Sequence, residues 1–288
     1  MSGVQVETRR ETARAGTAVS VLDRWGHQLQ RLPLHLVIII FIAIWIVPTI
    51  GLIVNSFRNV QDMSNAGWWS ALFPPHGFSF DSYNQVLQTE NVATSIFNSV
   101  LITVPATVIQ LAIATMGAYA FAWMKFPGKD IFFIVIVGLM VVPIQMTLIP
   151  VLQLFHTFGL AGTFIAVWLA HSGYGLPREI FESAEMDGAG HAVRFLRIAV
   201  PMTIPAIASL TIFVFLGVWN DLLVSLTFLG SSPNRPFTVV ITQLVTSLGG
   251  GWQFLTAAAV LQMSLPLAVF IFLQRYFVRG ITSGSVKG

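Results

Sequence analysis

From Leu34 to Val54 the chain carries no Asp, Glu, Lys or Arg. A helix of that length rises about 30 Å, the thickness of a bilayer's hydrocarbon layer. Five further apolar runs follow, over about Ile96–Met124, Ile131–Phe155, Ala161–Leu176, Ala206–Leu229 and Leu255–Phe277. Each is expected to be helical, because an unpaired backbone amide in hydrocarbon costs several kcal/mol. A transmembrane barrel needs short alternating segments instead, and the sequence has none of that pattern. Charged residues make up 9% of the chain and hydrophobic ones 55%. A soluble domain averages about a quarter charged, so the reading is an all-α polytopic membrane protein with about six spans.

Charge sets the orientation. Of the 15 Lys and Arg, all but Arg58 and Arg235 fall on one side if the N-terminus is cytoplasmic. That side holds Arg9, Arg10, Arg14, Arg24, Arg31, Lys125, Lys129, Arg178, Arg194, Arg197, Arg275, Arg279 and Lys287. Both termini are therefore expected in the cytoplasm. Residues 1–33 read as a polar cytoplasmic segment rather than a signal peptide, because the apolar run after them is long enough to span. Residues 34–279 form the membrane domain and 280–288 a cytoplasmic tail. The net charge of +3 is topological, and nucleic acid is not an expected partner. With no cysteine, disulfides and thiolate metal sites are excluded.

The fourth run is short. From Ala161 to Leu176 a helix rises about 24 Å, against about 30 Å of hydrocarbon. Either a tilted helix in a thinned bilayer accommodates it, or the segment is shortened by missing or deleted residues; we favour the second.

Two segments are expected outside. Residues 57–94 carry Trp68, Trp69, Phe73-Pro-Pro75 and a cluster of aromatics that suits the membrane–water interface or a docking partner. Pro74 and Pro75 stop a helix. Residues 81–87 can restart one, capped by Asp81 or Ser82. Residues 230–253 read as a flexible loop ending in Gly249, Gly250, Gly251 and Trp252.

Between the fourth and fifth runs, residues 178–205 are charged and polar, so water rather than lipid must surround them. Pro177 is placed to open a helix. Glu179, Glu182 and Glu185 sit in its early turns, favourable for the helix dipole. Ile180, Phe181, Ala184 and Met186 offer an apolar surface for a groove. Pro201 and Pro205 bracket the return to the bilayer. An amphipathic helix resting on headgroups is the plainer alternative, but acidic residues suit an anionic leaflet poorly.

This segment resembles the EAA loop of ABC-importer permeases. Glu182-Ser-Ala-Glu-Met-Asp-Gly188 matches its Glu-Ala-Ala-x-x-x-Gly core with Ser183 in the first Ala position, and Arg197-Ile-Ala-Val-Pro201 completes it. Asn98-Ser-Val100, Ala118-Tyr-Ala120, Phe126-Pro-Gly-Lys129, Pro143 with Leu148-Ile-Pro150, Trp219-Asn-Asp221 and the tail from Gly280 are similar to the family's other signatures. Their order over nearly the whole chain is a stronger signal than any one of them. The resemblance is to oligosaccharide permeases, in particular those similar to the second maltose-type permease.

That resemblance implies the type I ABC-importer permease fold and a function: half of the pathway of a binding-protein-dependent sugar importer. The implied partners are a second, different permease, two ATPase subunits that hold ATP and Mg, and an external solute-binding protein. It implies ATPase coupling through Glu182, Ser183, Ala184, Asp187, Gly188 and Ala189. It implies tail contacts from Ser285, Val286, Lys287 and Gly288, and binding-protein contact near Gly249, Gly250, Gly251 and Trp252.

The chain itself has no phosphate loop, since Pro127-Gly-Lys129 is too short. It is therefore expected to be no enzyme, with no cofactor and no metal site of its own. Its six His lack metal-ligand spacing. His171, in an apolar run, reads as a packed or hydrogen-bonded residue. Asp221 is the acidic residue inside a run, costly to bury, and so either functional or firmly paired. With Trp219, Asn220, Gln145 and Gln262 it is a candidate for the pathway; interhelical hydrogen bonding is an equal alternative. A secondary solute carrier is the competing reading, supported by Asp221 alone.

Overall fold

The computed structural model describes residues 33–89, 91–174, 191–247 and 252–285. The chain divides into two compact units, Met1–Val54 and Asn55–Gly288. The described residues of the first, 33–54, all belong to the apolar helix α1, Pro33–Ser56, whose last two residues are counted in the second. In the second, α2 (Val60–Asn65), a 3₁₀ turn (Trp68–Ala71) and α3 (Asp81–Gln88) precede the long helix α4 (Val92–Trp123). There follow α5 (Lys129–Leu139), α6 (Ile144–Thr157) and α7 (Phe164–Tyr174). Then α8 (His191–Arg194), a π-helical turn (Phe195–Ala199) and α9 (Val200–Trp219) run as one continuous helix of 29 residues. Last come α10 (Leu223–Leu229), α11 (Phe237–Ser247) and α12 (Trp252–Ser285). The described residues form no β-sheet, only isolated bridges.

Among the described residues four helices are long and apolar enough to cross a membrane, or five if the bent pair α5–α6 counts as one span. Several expected spans need correction. The run Ile131–Phe155 is not one rod: the chain turns by 101° between α5 and α6, where Pro143 supplies no N–H to continue the first helix. The run Ala206–Leu229 breaks after Trp219, and its helix begins earlier, at His191, passing through Pro201 and Pro205. Pro201 is tolerated because it lies in the first turn of α9, where the π turn has already loosened the ladder. The described part of the fourth run, α7, has 11 residues. The segment 230–253, read as a loop, contains α11, which buries Phe237, Val239, Val240 and Leu244. The cap of α3 is Phe80 and makes no side-chain bond, so neither Asp81 nor Ser82 caps it.

α4 packs against α7, α9 and α11. Its polar residues lie on the packed side: Ser95, Asn98, Ser99, Thr103 and Thr107 are all buried. Two of them fasten the chain after α10. Asn98 Nδ2 donates to the carbonyls of Pro233 (3.3 Å) and Arg235 (3.2 Å). Ser99 Oγ accepts the Phe237 amide at 2.8 Å. Gly162 closes the same end. Its N–H donates to Phe228 O, and its carbonyl accepts from Ser232 Oγ and Asn234 Nδ2. Its φ of +78° is a conformation glycine adopts without cost. The main apolar core lies between α4, α6, α7, α9 and α10, around Ile102, Phe155, Val167, Val218 and Phe228.

Pro105, inside α4, deprives Leu101 of its i+4 donor. Trp168 of α7 fills the gap, its indole Nε1 donating to Leu101 O at 3.1 Å. At the opposite end of α4, Tyr119 OH lies 3.1 Å from His191 Nδ1. α4 thus joins residues 233–237 at one end and the start of α8 at the other.

Replacing Ser99 by Ala strands the buried Phe237 amide, at a cost of about 1–3 kcal/mol. The expected outcome is a lower apparent Tm of the detergent-solubilised protein, with Ser99→Thr close to wild type.

Candidate functional site

The break between α9 and α10 gathers four of the five residues named as pathway candidates: Trp219, Asn220, Asp221 and Gln262. Asn220 ends α9, its Nδ2 donating to Leu216 O at 3.0 Å, and it is exposed. Asp221 repairs the start of α10: Oδ1 accepts the Val224 amide at 3.2 Å. Its other oxygen lies 3.5 Å from Nε2 of His171 on α7. That separation is too long for a good hydrogen bond, and His171 Nε2 has no hydrogen-bond partner among the described residues. The His171 side chain is 9% exposed and that of Asp221 20%. Asp221 therefore has a backbone partner on its own chain turn and a side-chain partner on a neighbouring helix.

Trp219 and Gln262 belong to one network that joins α9, α11 and α12. The Trp219 indole Nε1 donates to Gln262 O at 2.9 Å. Gln262 Nε2 donates to Trp219 O (3.3 Å) and Thr238 Oγ1 (3.2 Å), and Thr238 Oγ1 donates to Trp219 O (3.0 Å). The cause lies four residues beyond Gln262. Pro266 has no N–H, so the Gln262 carbonyl lacks its helical donor. Trp219 does for α12 what Trp168 does for α4. The ring of Trp219 is 3% exposed, stacked on Phe215.

Gln145 stands in the first turn of α6 and is exposed, away from this network. Thr147 and Ser264 donate to carbonyls of their own helices. The structure thus brings Trp219, Gln262, Asp221 and Asn220 together around one helix break and leaves Gln145 apart. His171 is the partner that sequence reasoning missed, and no local pattern links it to Asp221. The two proline–tryptophan pairs were also missed, although a proline inside an apolar run announces an orphaned carbonyl.

Glu182, Ser183, Ala184, Asp187, Gly188 and Ala189 lie outside the described residues. So do Gly249, Gly250, Gly251, Val286, Lys287 and Gly288, while Trp252 and Ser285 mark the ends of α12. The flanks of the first group are placed. α7 runs alongside α4, with Trp168 beside Leu101, and the helix that resumes at His191 meets Tyr119 near the C-terminal end of α4. Among the described residues no cluster of three or more His, Cys, Asp or Glu has metal-binding geometry.

Residues 91–283 match the family described as "Binding-protein-dependent transport system inner membrane component". The osmoprotective compounds uptake permease protein GgtD of Synechocystis sp. is 47% identical, with 90% of this chain and 93% of the relative covered. The alpha-glucoside transport system permease protein AglG of Rhizobium meliloti is 44% identical, covering 81% of this chain and 68% of the relative. Among solved structures, a bacterial ABC transporter chain involved in import of the acidic polysaccharide alginate superposes with a TM-score of 0.69. It covers 87% of this chain and 97% of that one at 18% identity, a likeness of fold.

The Trp219 indole bond is testable by a double-mutant cycle. Trp219→Phe is expected to cost about 1 kcal/mol in the native background, and clearly less beside Pro266→Ala, whose new N–H supplies the missing donor. Equal losses in the two backgrounds, read from thermal or denaturant unfolding, would remove the proline from the explanation.

Proposed function

This chain belongs to the family of inner membrane components of binding-protein-dependent transport systems and is a membrane permease; from that premise we propose that it forms half of the pathway of an ATP-driven importer of α-glucosides. The family membership sets aside the secondary-carrier reading. A transport permease is not an enzyme, and ATP with Mg belongs to separate ATPase subunits in this proposal. The partners are two such subunits, a second and different permease, and an external solute-binding protein.

One observation carries the reading. The charged motif Glu182–Gly188 lies between α7 and α8, and α8 is fastened by His191 to Tyr119, at the end of α4 opposite the 233–237 turn. The segment around Glu182, Ser183, Ala184, Asp187, Gly188 and Ala189 is proposed to seat in the ATPase on the cytoplasmic side. The C-terminal residues 285–288 add a second contact there. On the other side, Gly249–Trp252 and the aromatic segment 57–89 meet the binding protein. Asn220 and Asp221, exposed or partly exposed at the helix break, are the candidates to meet passing hydroxyls; Gln145 is a more distant one. Trp219 and Gln262 support them by holding the break in place.

The α-glucoside class rests on two relatives: AglG, named for alpha-glucosides, and GgtD, named for osmoprotective compounds. ATP binding closes the ATPases, moves the coupling segment and opens the pathway toward the binding protein; hydrolysis resets it. The energy source acts by stabilising one of two states of the spans.

Reconstitution with the partner subunits and binding protein in liposomes tests this. Uptake of maltose, sucrose or trehalose is expected to require ATP and binding protein and to stop with vanadate. Glu182→Lys should reduce uptake to background with the protein still inserted. Uptake driven by an ion gradient without ATP, or normal uptake by Glu182→Lys, would overturn the proposal.

A further inference from the structure

The last turns of α4 carry Tyr119, Phe121 and Trp123, and these do more than fill space. Tyr119 is 8% exposed. Its ring stacks on Trp123 at 5.9 Å and 14°, the i+4 neighbour on the same helix face. It meets the imidazole of His191 edge-on at 6.0 Å and the ring of Phe195 at 5.3 Å. Its hydroxyl adds the 3.1 Å hydrogen bond to His191 Nδ1. His191 is the residue after Gly190, so this bond is made at the point where the charged segment re-enters helix. Phe195 opens the π-helical turn Phe195–Ala199, a geometry often found at functional sites.

Phe121 lies two residues from Tyr119 and projects from the other face of α4, about 200° around the helix. It packs edge-on against Phe126 (5.8 Å) and against Phe133 of α5 (5.7 Å). The C-terminal end of α4 is therefore a joint with α8 on one side and α5 on the other. Aromatic pairs prefer edge-on or offset-stacked arrangements, so each such contact fixes an angle as well as a distance. Two of them, Tyr119 with His191 and with Phe195, and a hydrogen bond give the contact between α4 and the helix beginning at His191 a defined geometry.

We infer that Tyr119 is a positioning residue for energy coupling: it locks α8 to α4, so that displacement of the segment ending at Gly190 moves α4 and α5 with it. The inference rests on the proposed seating of that segment in the ATPase. Without the lock, the π turn and the proline-bearing start of α9 absorb the displacement, and ATP is spent without transport.

The chain has no cysteine, so labels can be placed at will. In the complete complex in liposomes, spin labels at Ala122→Cys and Val193→Cys are expected to keep one distance in nucleotide-free and vanadate-trapped states. With Tyr119→Ala the distance is expected to broaden and to differ between the two states. This readout needs no transported solute. In parallel, ATP hydrolysed per α-glucoside taken up should rise about tenfold for Tyr119→Ala, within the usual span of coupling effects, with basal hydrolysis unchanged.

Tyr119→Phe keeps the ring and should fall between the two. His191→Asn, which can place a nitrogen near Nδ1, should restore more coupling than His191→Ala. A merely structural role would lower assembly, hydrolysis and uptake in proportion; an unchanged ratio and an unchanged label distance would overturn the inference. Glu182→Lys is the control: if it transports normally, the seating of the coupling segment fails, whereas if it is uncoupled and Tyr119→Ala is not, only the lock fails.

Discussion

In hydrocarbon a backbone carbonyl without a donor has nowhere to turn, and this chain places prolines where they create such carbonyls. Pro105 orphans Leu101 O and Pro266 orphans Gln262 O. In both cases an indole N–H from the adjacent helix supplies the donor, Trp168 for the first and Trp219 for the second. Each bond pins a pair of helices at the level where one of them is weakest. The proline gives a helix freedom to bend, and the tryptophan sets the bent position. The break at 220–222 follows the same rule, with Asp221 taking the Val224 amide and facing His171 across the gap.

Those pins make α4 the spine of the second unit. At one end Asn98 and Ser99 hold the chain after α10, and within a turn of them Leu101 receives α7; at the other end Tyr119 holds α8 and Phe121 holds α5. A permease that alternates between two arrangements needs helices that move as groups rather than singly. Directional polar bonds between helices define such groups better than apolar contact does, since lipid tails are as apolar as a leucine side chain. The route from the charged segment to the helix break runs along α9, fastened to α12 through Trp219, Gln262 and Thr238.

The helical class and most of the apolar runs were legible in the sequence, because hydropathy over a span-length window is a strong local signal. So were Asn98 and Ser99 as noteworthy residues, although their role in holding the 233–237 turn depends on partners well over a hundred residues away. The polar segment was drawn too long, since residues 191–205 belong to the apolar helix His191–Trp219, while 178–190 lie outside the described residues. The breaks were not legible. The run 131–155 is apolar throughout, and hydropathy cannot distinguish a straight helix from two helices meeting at 101°. α11 was read as a loop because the proline and glycine signals on either side outweighed its apolar middle. Asp221 was rightly singled out as costly, but its partner His171 lies on another helix, and one sequence holds no record of that pairing.

The central claim is that residues 178–190 face the cytoplasm and seat in an ATPase subunit. A single cysteine in place of Met186, in this otherwise cysteine-free chain, tests it within the assembled complex. The account predicts cross-linking to the ATPase subunit, and protection from a membrane-impermeant maleimide added outside intact cells. Labelling from outside, with no cross-link to the ATPase, would contradict it.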